Sequence, residues 1–166
     1  LKQRQTSAHN TVVVDGKDSS EVWSGFRVAR RAYASLLEAK EVAGKVEISA
    51  SHDGYRRLKG KVTHTRSIVA EKKKLTIMDT LKGQWKSADA MFHLHPAISV
   101  ERIDDNSVQF CLPDDQIILV TSNGEIIESD GFWYPEFGRK VPNRNLKVIF
   151  STSELNTSFS LKGQDA

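Results

Sequence analysis

The 166-residue chain holds a single cysteine, Cys111, so no disulfide can close within it. Flanked by Phe110 and Leu112, Cys111 is expected to be a small buried apolar residue. Only 4 prolines and 10 glycines are present, too few for a collagen-like or low-complexity protein. The longest strongly apolar run is Ile117-Ile118-Leu119-Val120, far short of the roughly 20 residues of a transmembrane helix. Residues 1–10 lack the apolar stretch of a secretory signal. The chain opens on Leu1 rather than Met, which sets the expectation of a piece of a longer polypeptide. Glycine-rich phosphate loops are missing, as are CxxC and HExxH metal motifs and the GxSxG nucleophile elbow. No complete catalytic site of a recognisable kind is therefore expected within these residues.

What is present suffices for a core. Leu, Ile, Val and Phe number 43, about a quarter of the chain and above the roughly 20 % below which a charged chain reads as disordered. A chain of this length buries roughly 68–70 % of its unfolded surface, enough for one domain. The net charge of +3 conceals a split: residues 1–83 carry +8 and residues 84–166 carry −5. That asymmetry suits one basic face and an anionic partner, such as polysaccharide, nucleic acid or a membrane surface. Lysines protecting a solvated sheet edge would give the same count.

Strand signals dominate. Thr11 to Val14 is β-branched and stops at Asp15-Gly16, a turn dipeptide. Val46, Ile48 and Ala50 alternate with Glu47 and Ser49. Thr63 to Ala70 and Leu75 to Leu81 flank a Lys-rich turn, the second with only loose alternation. Ala88 to His95, Ile98 to Ile103, Val108 to Leu112, Leu146 to Ser151 and Thr157 to Leu161 continue the pattern. Gln116 to Ser122 and Glu125 to Ser129, joined by Asn123-Gly124, read as the clearest hairpin of the chain. Turn signals every 8–12 residues and no internal repeat point to an all-β fold of stacked antiparallel sheets, a β-sandwich with at most one short helix. Val28 to Ala43 fits a helical period and a strand alternation about equally on pattern alone.

Five histidines are the candidates for chemistry. His93 and His95, two apart on an expected strand, would point to one face, as a metal chelate needs; a pair of polar residues on a half-exposed sheet is the plainer reading. His52-Asp53-Gly54-Tyr55 reads as a turn in which Asp53 bonds to local backbone and Tyr55 packs. The chain lacks the clustered surface aromatics that stack bases, which sets nucleic acid aside.

One set of motifs carries more. Thr6-Ser7-Ala8-His9-Asn10-Thr11-Val12-Val13-Val14-Asp15-Gly16 is followed by Ser20-Glu21-Val22-Trp23 and Phe26-Arg27-Val28-Ala29-Arg30-Arg31-Ala32. Next come His52 to Leu58 with His64, Asp79 with Leu81 and Gly83, Phe92 to Pro96, Tyr134-Pro135 and Phe137-Gly138. Over residues 4–150 the chain resembles the heparinase II/III-like family of polysaccharide lyases. The resemblance implies that residues 1–166 are a C-terminal β domain, with an N-terminal (α/α) toroid as its partner in the full-length protein, and it tips Val28 to Ala43 toward strand.

The same resemblance implies an enzyme that cleaves uronic-acid-containing anionic polysaccharides by β-elimination: glycosaminoglycan such as heparan sulfate, or alginate. In that reaction a base removes the acidified C5 proton and an acid protonates the leaving oxygen. The principal catalytic Tyr and His would lie outside this sequence, so no catalytic residue is assigned and the isolated chain is expected to be inactive. His9 is implied as one ligand of a zinc in the full-length protein, its other ligands lying outside this chain, with no cofactor expected in the fragment. The resemblance places His9 on a strand near an exposed edge. The basic stripe Arg27, Arg30 and Arg31 would meet the acidic polysaccharide, and the periplasm or cell envelope is the implied location. The alternative is a non-catalytic acidic-glycan-binding or structural β-sandwich module.

Overall fold

The computed structural model describes residues 2–25 and 27–163. Among them are fourteen strands, three short 3-10 turns and no α-helix. The strands are β1 (Val12–Val14), β2 (Glu21–Val22), β3 (Val28–Ala29), β4 (Ala34–Val42), β5 (Lys45–His52), β6 (Thr63–Glu71) and β7 (Lys74–Lys82). They continue as β8 (Ala88–His93), β9 (Ser99–Arg102), β10 (Ser107–Cys111), β11 (Ile117–Ser122), β12 (Ile126–Trp133), β13 (Val141–Ile149) and β14 (Glu154–Leu161). Two antiparallel sheets stack: a four-stranded sheet in the order β1-β8-β13-β12 and an eight-stranded sheet in the order β4-β5-β6-β7-β14-β11-β10-β9. β2 and β3 form a separate ribbon. The all-β expectation holds.

Alternation explains the stacking. Val12, Val14, Ala88, Ala90, Phe92, Leu146 and Val148 leave the small sheet on one face. They meet Ile77, Leu81, Val108, Phe110, Val120 and Leu155 from the β7-β14-β11-β10 half of the large sheet. Phe92 and Phe159 cross edge to face at 5.4 Å between centroids. The other half of that inner face is uncovered: Leu36 of β4 and Val46 and Ile48 of β5 are 67 %, 37 % and 43 % exposed. The Asp15-Gly16 turn forms as read, both residues at positive φ (51° and 63°).

One sequence alternative is settled and two expectations change. Val28 to Ala43 holds β3 and β4 and no helix, as the family resemblance implies: β4 pairs with β5 as an edge strand and every one of its residues is exposed, so the helical period describes no buried face. Cys111 is half-buried rather than buried, because the opposite alternation of β10 sends Val108 and Phe110 inward. Asn123-Gly124 is not a hairpin tip. β11 pairs with β10 and β14, while β12 pairs with β13 in the other sheet. The dipeptide is a crossover between layers. The Asn123 side chain is used on β14, where its Oδ1 accepts the Asn156 N–H at 2.8 Å and its Nδ2 donates to the Glu154 carbonyl at 3.2 Å. A Cβ on Gly124 would lie 2.1 Å from the Ile149 carbonyl oxygen and 2.7 Å from Leu155 Cδ1. Glycine is required there for close approach, not for a turn.

Gly124→Ala should therefore destabilise the domain by about 1–3 kcal/mol, the usual range for overpacking, measured by urea unfolding. Gly163→Ala, where a Cβ meets open space, should leave the midpoint unchanged.

Candidate functional site

The charged side chain deepest in the fold is Asp79, 1 % exposed on the inner face of β7. It accounts for the loose alternation of that strand, since an acid occupies a core position. Antiparallel register places Arg66 of β6 directly opposite Asp79, with His64 two residues along on the same face. Arg66 clamps the carboxylate through Nε to Oδ1 at 2.7 Å and through its second terminal nitrogen to Oδ2 at 2.8 Å. His64, 3 % exposed, approaches Oδ1 through Nε2 at 2.6 Å. Burial alone would raise the Asp79 carboxyl, but the His64 and Arg66 bonds outweigh it and hold it below the usual carboxylate range.

The chain of donors continues outward. His52 Nε2 lies 3.0 Å from His64 Nδ1, and the Gly54 N–H donates to His52 Nδ1 at 3.3 Å. The links run from the Gly54 N–H to His52 Nδ1, from His52 Nε2 to His64 Nδ1, and from His64 Nε2 to Asp79 Oδ1. Burial first, and the adjacent His64 second, lower His52 to about 4. In the other direction Arg66 donates to the Asn10 carbonyl, and the Asn10 Oδ1 accepts the His93 N–H at 2.8 Å. This network is a brace rather than a reaction centre, because its members face one another and backbone.

Tyr55 packs, as the sequence reading of its turn has it. Its side chain is fully buried, its hydroxyl donates to the Val12 carbonyl at 2.7 Å, and burial pushes it up to about 12. The Asp53 carbonyl accepts the Arg56 N–H of its own turn at 2.8 Å, while its side chain reaches across twenty residues to accept the Tyr33 N–H at 2.8 Å.

His9 follows a 3-10 turn over Thr6–Ala8 and is exposed; it sits ahead of β1 rather than on a strand. Among the described residues no three His, Cys, Asp or Glu side chains converge as a metal centre would require, so zinc has no complete seat within them. β8 ends at His93, whose ring nitrogens lie 2.9 Å from Asn145 Oδ1 and 3.0 Å from the Ser7 carbonyl, and the His95 ring beyond the strand lies 5.1 Å from that of Trp133.

The three arginines separate. Arg27 stacks its guanidinium over Trp23 at 5.1 Å. Arg30 and Arg31 instead line a groove of about 470 Å³ with Arg56, Arg57 and Lys61, beside Tyr33, Asp53 and Gly54. Sequence reading did not join these cations, although Arg56 and Arg57 follow the Gly54-Tyr55 motif directly. Arg57 is committed to the backbone, donating to the carbonyls of Asp18, Ser19 and Gly54. Arg30 pairs with Glu21 at 3.4 Å. Among the described residues Arg31, Arg56 and Lys61 make no ion pair, so they set the groove's potential. On the β4–β5 hairpin, by contrast, Lys40 and Lys45 pair with Glu38 and Glu47 and cancel locally. Gly54 lets the groove walls meet, since a Cβ there would lie 2.5 Å from the Ser19 carbonyl oxygen and 2.7 Å from Ala32 Cβ.

Two outcomes follow for the brace. Asp79→Asn should cost about 3–5 kcal/mol, the range for removing one partner of a buried pair, read by chemical denaturation at neutral pH. The His52 value is lower folded than unfolded, so unfolding takes up a proton between about 4 and the ordinary imidazole value of 6.5. Stability present above that window should fall as pH drops through it, and His52→Gln should flatten this part of the profile.

No curated protein matches the chain by sequence. Among solved structures, the heparan sulfate lyase HepC from Pedobacter heparinus superposes with a TM-score of 0.78 at 15 % identity, covering 98 % of this chain and 25 % of that one. A heparinase III (the BT4657 gene product) superposes with a TM-score of 0.76 at 14 % identity, covering 96 % and 24 %. The chain thus spans about a quarter of the length of these structures, and the likeness is one of fold. The family model described as heparinase II/III-like, C-terminal, matches residues 2–162, and the chain belongs to that family.

Proposed function

We propose that this chain is the C-terminal β domain of a polysaccharide lyase that cleaves uronic-acid-containing anionic polysaccharide by β-elimination, and that it performs no cleavage alone. The observation that carries this reading is the groove of Arg30, Arg31, Arg56, Arg57 and Lys61 around a single Asp53, on a domain of this family. Guanidinium groups suit carboxylate and sulfate because their planar donors match two oxygens at once. Arg27, outside that groove, would extend the same basic surface. Family membership and the likeness to a heparinase III and a heparan sulfate lyase support a glycosaminoglycan as substrate; alginate is the other uronate polymer the reading admits.

The acid–base chemistry belongs to an N-terminal toroid in the longer protein, working in the periplasm or cell envelope. In this chain Tyr55 is locked in the core, and His64 is used by Asp79. His9 is assigned as one zinc ligand in the longer protein, with its co-ligands supplied from outside this chain; its exposure supports that reading. The uncovered apolar half of the large sheet, around Leu36, Val46 and Ile48, suits packing against another part of the same polypeptide.

Incubated with heparan sulfate or alginate, the isolated chain should give no rise in the ultraviolet absorbance of unsaturated uronate; a rise would refute the division of labour. It should bind a size-defined oligouronate with an affinity that falls as salt rises. The double change Arg31→Ala/Arg56→Ala should weaken that binding roughly three- to tenfold, as for two surface ion contacts, while Lys140→Ala should not. Binding by a longer protein that cleaves neither polymer would favour the non-catalytic glycan-binding alternative.

A further inference from the structure

Before it enters β1 the chain crosses the outer face of the small sheet. Asn143 and Asn145 leave β13 on the face opposite Leu146 and Val148, yet they are only 7 % and 8 % exposed. Residues 2–8, in two 3-10 turns, run over that face: Gln3, Gln5, Ser7 and Ala8 line a groove of about 480 Å³ together with both amides. Side chains of the domain fix this course. Arg4 donates to the carbonyls of Ser24 and Gly25, the Thr6 N–H to Asp18 Oδ1 at 2.7 Å, and the Ser19 N–H to Thr6 Oγ1 at 2.8 Å. His93 Nε2, at the end of β8, lies 3.0 Å from the Ser7 carbonyl.

The same groove is lined by aromatic rings from the end of the β12–β13 hairpin. β12 closes on Phe132-Trp133, and Tyr134 and Phe137 follow in the connection to β13. These four are 45 %, 40 %, 41 % and 107 % exposed. Phe132, Trp133 and Tyr134 line the groove, and Phe137 projects fully into solvent. Gly131 of β12 keeps the floor open, since a Cβ there would lie 1.9 Å from Asn145 Nδ2. The charges of the connection stand at the margin: Arg139 pairs with Glu136 at 3.2 Å, and Lys140 Nζ lies 3.4 Å over the Phe132 ring. A contiguous set of exposed rings inside a polar rim is the composition of an interaction surface, because large aromatic side chains gain most from burial against a partner.

We propose that the aromatic end of the β12–β13 hairpin is a docking surface for the polypeptide that precedes this domain in the longer protein. The occupant follows from the course of residues 2–8. Each residue ahead of them adds at most about 3.3–3.6 Å of reach, so the preceding chain is delivered beside Trp133 and Tyr134. A covalently delivered partner meets these rings at a high effective concentration, which favours it over a second copy or a free ligand. The solved structures this chain resembles are about four times its length, so a preceding domain would be large enough to cover the rings. Its contact surface is apolar at the centre, to meet Trp133, Tyr134 and Phe137, and polar where it faces Glu136 and Arg139. The proposal rests on the reading of this chain as a C-terminal domain.

The test is hydroxyl-radical footprinting, read by mass spectrometry, of this chain and of the longer protein side by side. Oxidation of Trp133, Tyr134 and Phe137 should fall roughly fivefold in the longer protein, as rings pass from solvent into an interface core. Met78, which leaves β7 on the face away from the small sheet, should keep its rate. Phe137→Ser should leave the urea midpoint of the 166-residue chain unchanged, because the ring is fully exposed there. In the longer protein the same change should restore much of the oxidation at Trp133 and Tyr134. Equal oxidation of the three rings in both proteins overturns the docking surface. Protection that rises with concentration in the 166-residue chain alone would assign the rings to a second copy and overturn it too. A lyase assay on the longer protein separates the two readings. Reactive rings with cleavage of heparan sulfate or alginate would overturn the docking surface and leave the proposed function standing; protected rings without cleavage would do the reverse.

Discussion

A buried carboxylate holds this domain's surface features in relation to one another. Asp79 is an acid in a core position, tolerable because Arg66 and His64 complete its shell at 2.6–2.8 Å. Its partners lead to three separate places. Through His64 and His52 the network reaches Gly54, where the basic groove's walls touch. Through Arg66 it reaches the Asn10 carbonyl, in the turn that presents His9. Through the side chain of that same Asn10 it reaches the His93 backbone, at the end of β8. The brace also joins the two sheets where the small sheet ends and the large one runs on uncovered.

The two depressions of the surface differ in chemistry. One gathers cations on short, backbone-anchored segments; the other, on the outer face of the small sheet, gathers Asn143, Asn145, Trp133 and Tyr134. Arg57 shows how the first is built: its guanidinium holds three carbonyls in place and leaves Arg31, Arg56 and Lys61 to face solvent. In the second, Gly131 plays the corresponding part by keeping a side chain out of the space two amides occupy.

Much of the fold was legible in the chain because alternation and turn dipeptides are local. Asp15-Gly16 and the Lys-rich link between β6 and β7 behave as their residues dictate. Asn123-Gly124 shows the limit. The dipeptide suits a two-residue hairpin, but whether the next strand returns to the same sheet depends on β14, thirty residues on, whose backbone takes up the Asn123 amide. The helical period of Val28 to Ala43 fails for a related reason: an edge strand with both faces exposed has no burial pattern to display.

The site was legible only in part. Arg30 and Arg31 stood out by adjacency, but their union with Lys61 and their separation from Arg27 are tertiary facts. Asn143 and Asn145 carry no signal in isolation, because two amides on one strand face are ordinary until a glycine opposite makes room for them. The family resemblance places His9 on a strand, whereas it lies exposed just after a 3-10 turn. The role of Asp79 was hinted at by imperfect alternation in β7, a signal that reads as noise until its cross-strand partners are known.

The claim that one carboxylate organises all three surfaces is open to native-state hydrogen exchange on Asp79→Asn beside the unaltered chain. The account predicts that amide protection falls locally at Gly54 and His93, the two ends of the network, by more than in β10 and β11. A loss of protection spread evenly over both sheets, or no local change at these two amides, would contradict it.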